Sequence, residues 1–174
     1  MINEDDREGL FHAWVGQHLT LVGRVARSYA DSEEDCQELI QEILLQVWLS
    51  IPRFERKAKP STWIYRVALN TALAWQRRNE RQRRRQFQPV VWGMDVAKNE
   101  TEQAHQRERI ERLHAAIRRL PKADVALVLL YLDDLSYREI AEILGISEVN
   151  VGVKLNRVRK ALAELMKEEI ANDS

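Results

Sequence analysis

"EIAEILGISEVNVGVKLNRVRKAL", residues 139–162, reads as two short helices joined by a tight turn. Ser136 and Glu139 have the spacing of a capping box, which starts a helix near Tyr137. Ala141 is small where two helices must cross closely, and Gly145 stands where the turn needs a positive φ. Ile146 plugs the core behind the turn. Ser147 then caps a second helix whose buried side is Val151, Leu155 and Val158. The other side of that helix carries Asn150, Val153, Lys154, Asn156, Arg157 and Lys160. A helix that enters a DNA groove needs this division: an apolar face to hold it, and a polar, basic face to meet phosphates and base edges. A plain helical hairpin with a solvated basic face is the alternative. The coincidence of small residues, two caps and a basic helix favours the DNA-binding reading. Lys154 and Arg157 suit bases or phosphates equally. Val153 on the exposed face is open between a thymine methyl contact, solvent and a linker contact.

The remainder of the chain looks unsuited to a polyanion if only totals are counted, because 27 basic side chains face 27 acidic ones over 174 residues. Their distribution is uneven. Residues 31–50 hold six acids and no base, whereas residues 51–86 hold eleven bases against Glu55 and Glu80. Salt screens exposed charges beyond about 8–10 Å, so local blocks steer partners and totals do not. Six glycines and four prolines are too few for the many turns of an all-β fold. Cys36 is the single cysteine, and His12, His18, His105 and His114 form no metal-ligand spacing. No glycine loop cradles a phosphate. The chain is therefore expected to be no enzyme and to need no cofactor and no metal. The start, MINEDDREGL, lacks the basic and apolar regions of a signal peptide, and no apolar run reaches the roughly 18–20 residues that cross a bilayer. A cytoplasmic location is the default expectation.

Periodicity predicts an all-α chain of two small helical domains. Residues 6–29 form an amphipathic helix, with Gly16 and Gly23 as candidate breaks. Ser32 caps a helix whose stripe is Cys36, Leu39, Ile40, Ile43, Leu44, Val47, Trp48 and Ile51, and Pro52 ends it. Ser61 is the expected cap of a third helix, with Trp63, Val67 and Leu73 or Ala74 on its buried side and six arginines at its end. Residues 87–106 show no sustained period and read as a linker, in which the "VVW" of residues 90–92 suggests docking. Helices resume with Ile110, Leu113, Ala116 or Ile117, and Leu120, then a buried helix over "ADVALVLLYLDDL", and the tail "EEIANDS" is expected to fray. The expected domains are 1–86 and 107–174.

Taken in order, these segments resemble a known family. "DCQELIQEILLQVWLSIPRF" followed by "STWIYRVALNTALAWQRR" is similar to region 2 of bacterial sigma factors. "LPKADVALVLLYLDDLSYREIAEILGISEVNVGVKLNRVRKAL" resembles their region 4, and no region 3 fits between. That places the resemblance in the short, extracytoplasmic-function class of the sigma-70 family, promoter-recognition subunits of RNA polymerase. It implies core RNA polymerase and promoter DNA as partners, and an anti-sigma factor as the usual inhibitor. It assigns Glu38, Gln41 and Glu42 to polymerase docking, with Leu45 and Trp48 as apolar contacts. For the −10 element it implies Asn70 as base reader, Ser61 and Thr62 around it, Lys59 and Arg66 on phosphates, and Arg77 and Arg78 along the upstream duplex with Arg81, Arg83, Arg84 and Arg85. Trp63 and Tyr65 stay open between melting and core packing. For the −35 element it implies Ser147, Asn150, Val153, Lys154, Asn156, Arg157 and Lys160. The linker would follow the RNA exit path. One departure stands out: "VNVGVKLNR" has Gly152 and Val153 where the family commonly has a basic and a small polar residue, so the preferred −35 sequence is expected to differ.

Two other functions compete. An operator-binding regulator would dimerise and use only residues 107–174, leaving the arginine run without a role. A polymerase adaptor that ignores DNA would leave the segment around Asn70 without one.

Overall fold

The computed structural model describes residues 4–85 and 102–172. Among the described residues there are seven α-helices and no strand: α1 (Glu4–Tyr29), α2 (Glu33–Ser50), α3 (Pro60–Arg85), α4 (Glu102–Arg119), α5 (Lys122–Leu132), α6 (Tyr137–Leu144) and α7 (Glu148–Asn172). A short 3-10 turn, Ile51–Arg53, follows α2.

Helices α1, α2 and α3 form a three-helix bundle. The Ser32 hydroxyl accepts from the Asp35 N–H at 2.7 Å, and Glu33, Glu34 and Asp35 fill the first turn of α2, where carboxylates offset the helix dipole. Cys36, Leu39, Ile43 and Val47 are its buried stripe. Burial first, and Glu33 beside it, push the Cys36 thiol up, as befits a core residue rather than a nucleophile. Helix α1 runs through Gly16 and Gly23 unbroken, and both glycines have open space around them, so neither is a packing device.

Two expectations for α3 need correction. It begins at Pro60, not after a Ser61 cap: proline fits the first helical position, and the Lys59 carbonyl accepts from the Trp63 N–H at 3.1 Å. Its fully buried face is Ile64, Tyr65, Ala68, Leu69, Ala72 and Trp75, while Trp63, Val67 and Leu73 only flank the core. Small alanines bring α3 close to its neighbours, and a search for large residues overlooks them.

Helices α4 to α7 form the second unit, around α5, which is buried from Asp124 to Leu130. Helix α4 starts at Glu102, inside the segment expected as linker, and α7 extends to Asn172. The "VVW" segment lies outside the described residues. The two units share one continuous apolar core, with α1 packed on α4 and α5 and α3 packed on α6. Polar ties join them as well. The buried Tyr29 hydroxyl donates to the Lys122 carbonyl at 2.9 Å, and Arg24 pairs with Asp133 at 2.7 Å.

The two glycines of the C-terminal hairpin give opposite predictions. Gly145 has φ +68°, so Gly145→Ala should cost about 1–2 kcal/mol. Gly152 lies inside α7, where an added Cβ would meet the Tyr137 ring at an ordinary 3.5 Å. Gly152→Ala should therefore gain about 0.5–1 kcal/mol through helix propensity. Urea unfolding of both variants checks the two signs.

Candidate nucleic-acid and protein interfaces

The side of α2 opposite its buried stripe is an open ridge. Glu38, Gln41 and Leu45 are exposed on it, and Leu49 extends it by one turn. Leu45 and Leu49 are each 50% exposed, which is unusual for leucines inside a well-packed bundle. Sequence reasoning missed Leu49; its signal was the four-residue step from Leu45. Glu42 is half-buried beside this ridge. One of its carboxylate oxygens accepts from Gln46 Nε2 at 3.3 Å and lies 3.9 Å from Arg78 Nη2 of α3. Trp48 is placed differently from the open residues. Its ring is half-buried under α1, with the Arg7 guanidinium 4.1 Å from the ring centroid and Phe11 edge-on at 5.3 Å. Arg7 also donates twice to the Trp48 carbonyl, at 2.9 and 3.2 Å.

On α3, Asn70 is exposed, as are Arg77, Arg78 and Arg81. Ser61 is half-buried in the first turn. Thr62 is buried at 4% and turns inward, so it does not line the surface around Asn70 that the resemblance implied. Trp63 packs: its Nε1 donates to the Ser50 hydroxyl at 3.0 Å, and its ring meets Phe54 at 5.6 Å between centroids. Tyr65 is buried too. Arg77 Nε donates back to the Leu73 carbonyl at 3.2 Å. The side chains of Arg83, Arg84 and Arg85 lie outside the described residues.

The hairpin of α6 and α7 has the geometry its sequence dictates. Ser136 accepts from the Glu139 N–H at 3.3 Å, and the Glu139 carboxylate accepts from the Ser136 N–H at 3.0 Å, closing the capping box. The Gly145 and Ile146 N–H groups donate to the Ala141 carbonyl at 2.9 and 3.1 Å. Ser147 caps α7 by accepting from the Asn150 N–H at 3.3 Å. Val151, Leu155 and Val158 are buried, while Ser147, Asn150, Val153, Asn156 and Lys160 are exposed and Lys154 is half-buried. Arg157 stands apart from this group. Its Nη2 lies 3.3 and 3.4 Å from the two carboxylate oxygens of the largely buried Asp124, at the start of α5. It holds α7 to α5, a role the sequence did not suggest. Arg159 likewise donates to the Tyr131 hydroxyl and lies over that ring.

Two of the basic residues assigned to DNA are occupied by α6. Lys59 Nζ pairs with Glu139 at 2.8 Å, and Arg66 Nη2 donates to the Glu142 carbonyl at 2.6 Å. The Lys59 ammonium, then the Ser136 N–H and hydroxyl, hold the Glu139 carboxyl down at about 2. Glu139 in turn raises the Lys59 pKa. Asp133 moves the other way: burial raises its pKa first, against the lowering effect of Arg24.

Comparison with known proteins matches both units. The family model for Sigma-70 region 2 covers residues 14–82, and that for Sigma-70, region 4 covers residues 110–162. The ECF RNA polymerase sigma factor SigX of Bacillus subtilis is 27% identical over 145 residues, 79% of this chain and 75% of that protein. The ECF RNA polymerase sigma factor RpoE of Cereibacter sphaeroides is 29% identical over 140 residues, 79% of this chain and 72% of that one. Among solved structures, the sigma factor RpoE of Bartonella quintana, in complex with the anti-sigma factor NepR, superposes with a TM-score of 0.71 at 19% identity, over 90% of this chain and 96% of that chain. CnrH, in complex with the cytosolic domain of CnrY, gives 0.66 at 19% identity, over 92% and 90%. At that identity the two structures speak to the fold.

The contact between Lys59 and Glu139 has a pH signature. The folded-state value of about 2 lies below the ordinary 4.5, so the stability it contributes is complete above pH 4.5 and is lost as pH falls from there through about 2. In a carbon-detected NMR titration, Glu139 should be the late-titrating glutamate, and Lys59→Met should move it back toward 4.5. A native Glu139 that titrates no lower than it does in Lys59→Met would show that the α3–α6 contact is open in solution, since the Ser136 cap lowers it in both.

Proposed function

The chain belongs to the sigma-70 family, in its extracytoplasmic-function class, and we propose that it works by mounting two separate DNA readers on core RNA polymerase. The observation that carries this is the order of parts: a region 2 unit with an outward α2 ridge, then a region 4 unit with a basic-faced α7. In this reading the unit of α1 to α3 docks and opens the −10 element, the segment before α4 follows the RNA exit path, and the unit of α4 to α7 reads the −35 element. Glu38, Gln41 and Glu42 meet basic residues of the polymerase, and Leu45 and Leu49 supply the apolar centre of that contact. Asn70 reads an unstacked base, with Lys59, Arg66, Arg77 and Arg78 on the backbone. For Lys59 and Arg66 to reach phosphates, α6 must leave α3, so loading on the polymerase and separation of the two units belong together. The chemistry of RNA synthesis stays with the polymerase, and the chain acts in the cytoplasm.

A neutral protein can serve this role because neither reader has to bind DNA tightly alone. Once both are fixed on one enzyme, the second contact is intramolecular and gains from effective concentration. An anti-sigma factor is the inhibitor this reading calls for; one of the two solved structures of like fold is a sigma factor in complex with the anti-sigma factor NepR. A dimeric operator-binding regulator is not favoured, since it leaves the region 2 unit without a task.

Size exclusion with sigma-free core polymerase tests the docking step. The wild-type chain should co-elute, and Gln41→Ala with Glu42→Ala should weaken binding about tenfold or more. A chain that ignores the core and shifts DNA alone as a dimer would overturn the reading. A second variant separates docking from melting. Asn70→Ala should keep core binding but reduce permanganate reactivity of promoter thymines about tenfold, the worth of a lost base contact.

A further inference from the structure

Val149 and Val153 are the two most exposed large hydrophobic residues among those described, at 75% and 65%. They are not scattered. At about 100° per residue they share one line along α7 with Asn156 and Lys160, and that line lies opposite the buried Val151 and Val158. The line begins in the first turn of the helix, the end that reaches base edges when a helix-turn-helix docks. Polar side chains continue and flank it: Lys160 in the line suits a phosphate, and Asn156 in the line and Asn150 beside it are exposed carboxamides with the donor and acceptor that match an adenine edge. The Arg157 guanidinium beside the line is paired with Asp124 though still exposed, so Val149 and Val153 stand as an apolar pair on an otherwise basic face. The Tyr137 ring, 40% exposed, adjoins the helix at Gly152 and widens the apolar strip.

An apolar strip framed by cations and carboxamides matches one feature of the major groove, the C5-methyl group of thymine, with adenine N6 and N7 on the paired base. We propose that Val149 and Val153 are specificity-determining residues that each take the methyl group of a thymine in the −35 element. The inference rests on the proposed sigma function and adds what α7 reads. Four helical residues rise about 6 Å, against about 3.4 Å per base step, so the two thymines lie one or two steps apart. A valine β-carbon branch presents two methyls in one stiff rotamer, which suits a shape contact without hydrogen bonds.

The test uses the chain assembled with core polymerase. Promoters are selected from a library randomised through both elements, and each −35 thymine of a selected promoter is then replaced by deoxyuridine, which removes only the methyl. Wild-type holoenzyme should lose about fourfold in promoter binding at each contacted thymine, the worth of one buried methyl. Val149→Ala with Val153→Ala should bind the thymine promoter more weakly and be indifferent to the replacement. Because both valines are exposed, thermal unfolding of this variant should match wild type. Equal binding of thymine and deoxyuridine promoters by wild type, or selected promoters without thymine under α7, overturns the proposal. So does a double variant that loses core binding instead of promoter discrimination, because the strip then faces the polymerase. A chain that neither co-elutes with core polymerase nor directs initiation from any library member fails earlier, and sinks the sigma reading along with this one.

Discussion

A helix can bury one stripe along its length, and what it leaves outside must suit water or a partner. That constraint decides what α2 and α7 of this protein leave open. Helix α2 spends Cys36, Leu39, Ile43 and Val47 on the bundle, so Glu38, Gln41, Leu45 and Leu49 are left together on the far side. Helix α7 buries Val151, Leu155 and Val158 within its unit, so Val149, Val153, Asn156 and Lys160 are left in line. In each case the packing that fixes the helix also sets the exposed line, with no separate element devoted to it. The core also limits tolerance: shifting either helix by one residue would turn its exposed line through about 100° toward the bundle.

Electrostatics then divides the labour. The acids of residues 31–50 lie on α2 and just before it, and the bases of residues 51–86 lie on α3 and the loop before it, so the zero net charge hides two patches of opposite sign. They touch at one edge, where Glu42 lies near Arg78. The pairing is long and partly exposed, and such pairs add little stability. Arg157 with Asp124 is different. Asp124 is mostly buried, and a carboxylate in that setting needs a partner, so this arginine is tied to architecture.

Short-range signals were the legible ones. The Ser136 and Glu139 capping box, the Gly145 turn and the Ser32 and Ser147 caps each depend on residues within a few positions, and the structure has all of them. The buried sides of α2 and α7 were legible because large aliphatics mark them. The α3 face was not, since Ala68 and Ala72 bury little area and draw no attention in a sequence. Thr62 was placed on the surface by resemblance, yet only packing decides which side of a first helical turn points inward. The pairs Arg157 with Asp124 and Lys59 with Glu139 join residues 33 and 80 positions apart, and no periodicity encodes such distances.

Glu139 shows how the two units can be joined and still come apart. Its carboxylate serves the capping box of α6 and the ammonium of Lys59 at once. Removing Lys59 leaves the cap whole, so α6 and the turn after it keep their shape when α3 withdraws. The Arg66 contact has the same property, because it ends on a backbone carbonyl of α6 and not on a side chain that the hairpin needs. Helix α7 owes its position to α4, α5 and α6, none of which these two contacts define. The unit of α4 to α7 is thus held together by its own contacts and tied to α3 through groups that its hairpin does not need. A promoter subunit needs this combination, since the distance between its two DNA elements is set on the polymerase and cannot be fixed in the free chain.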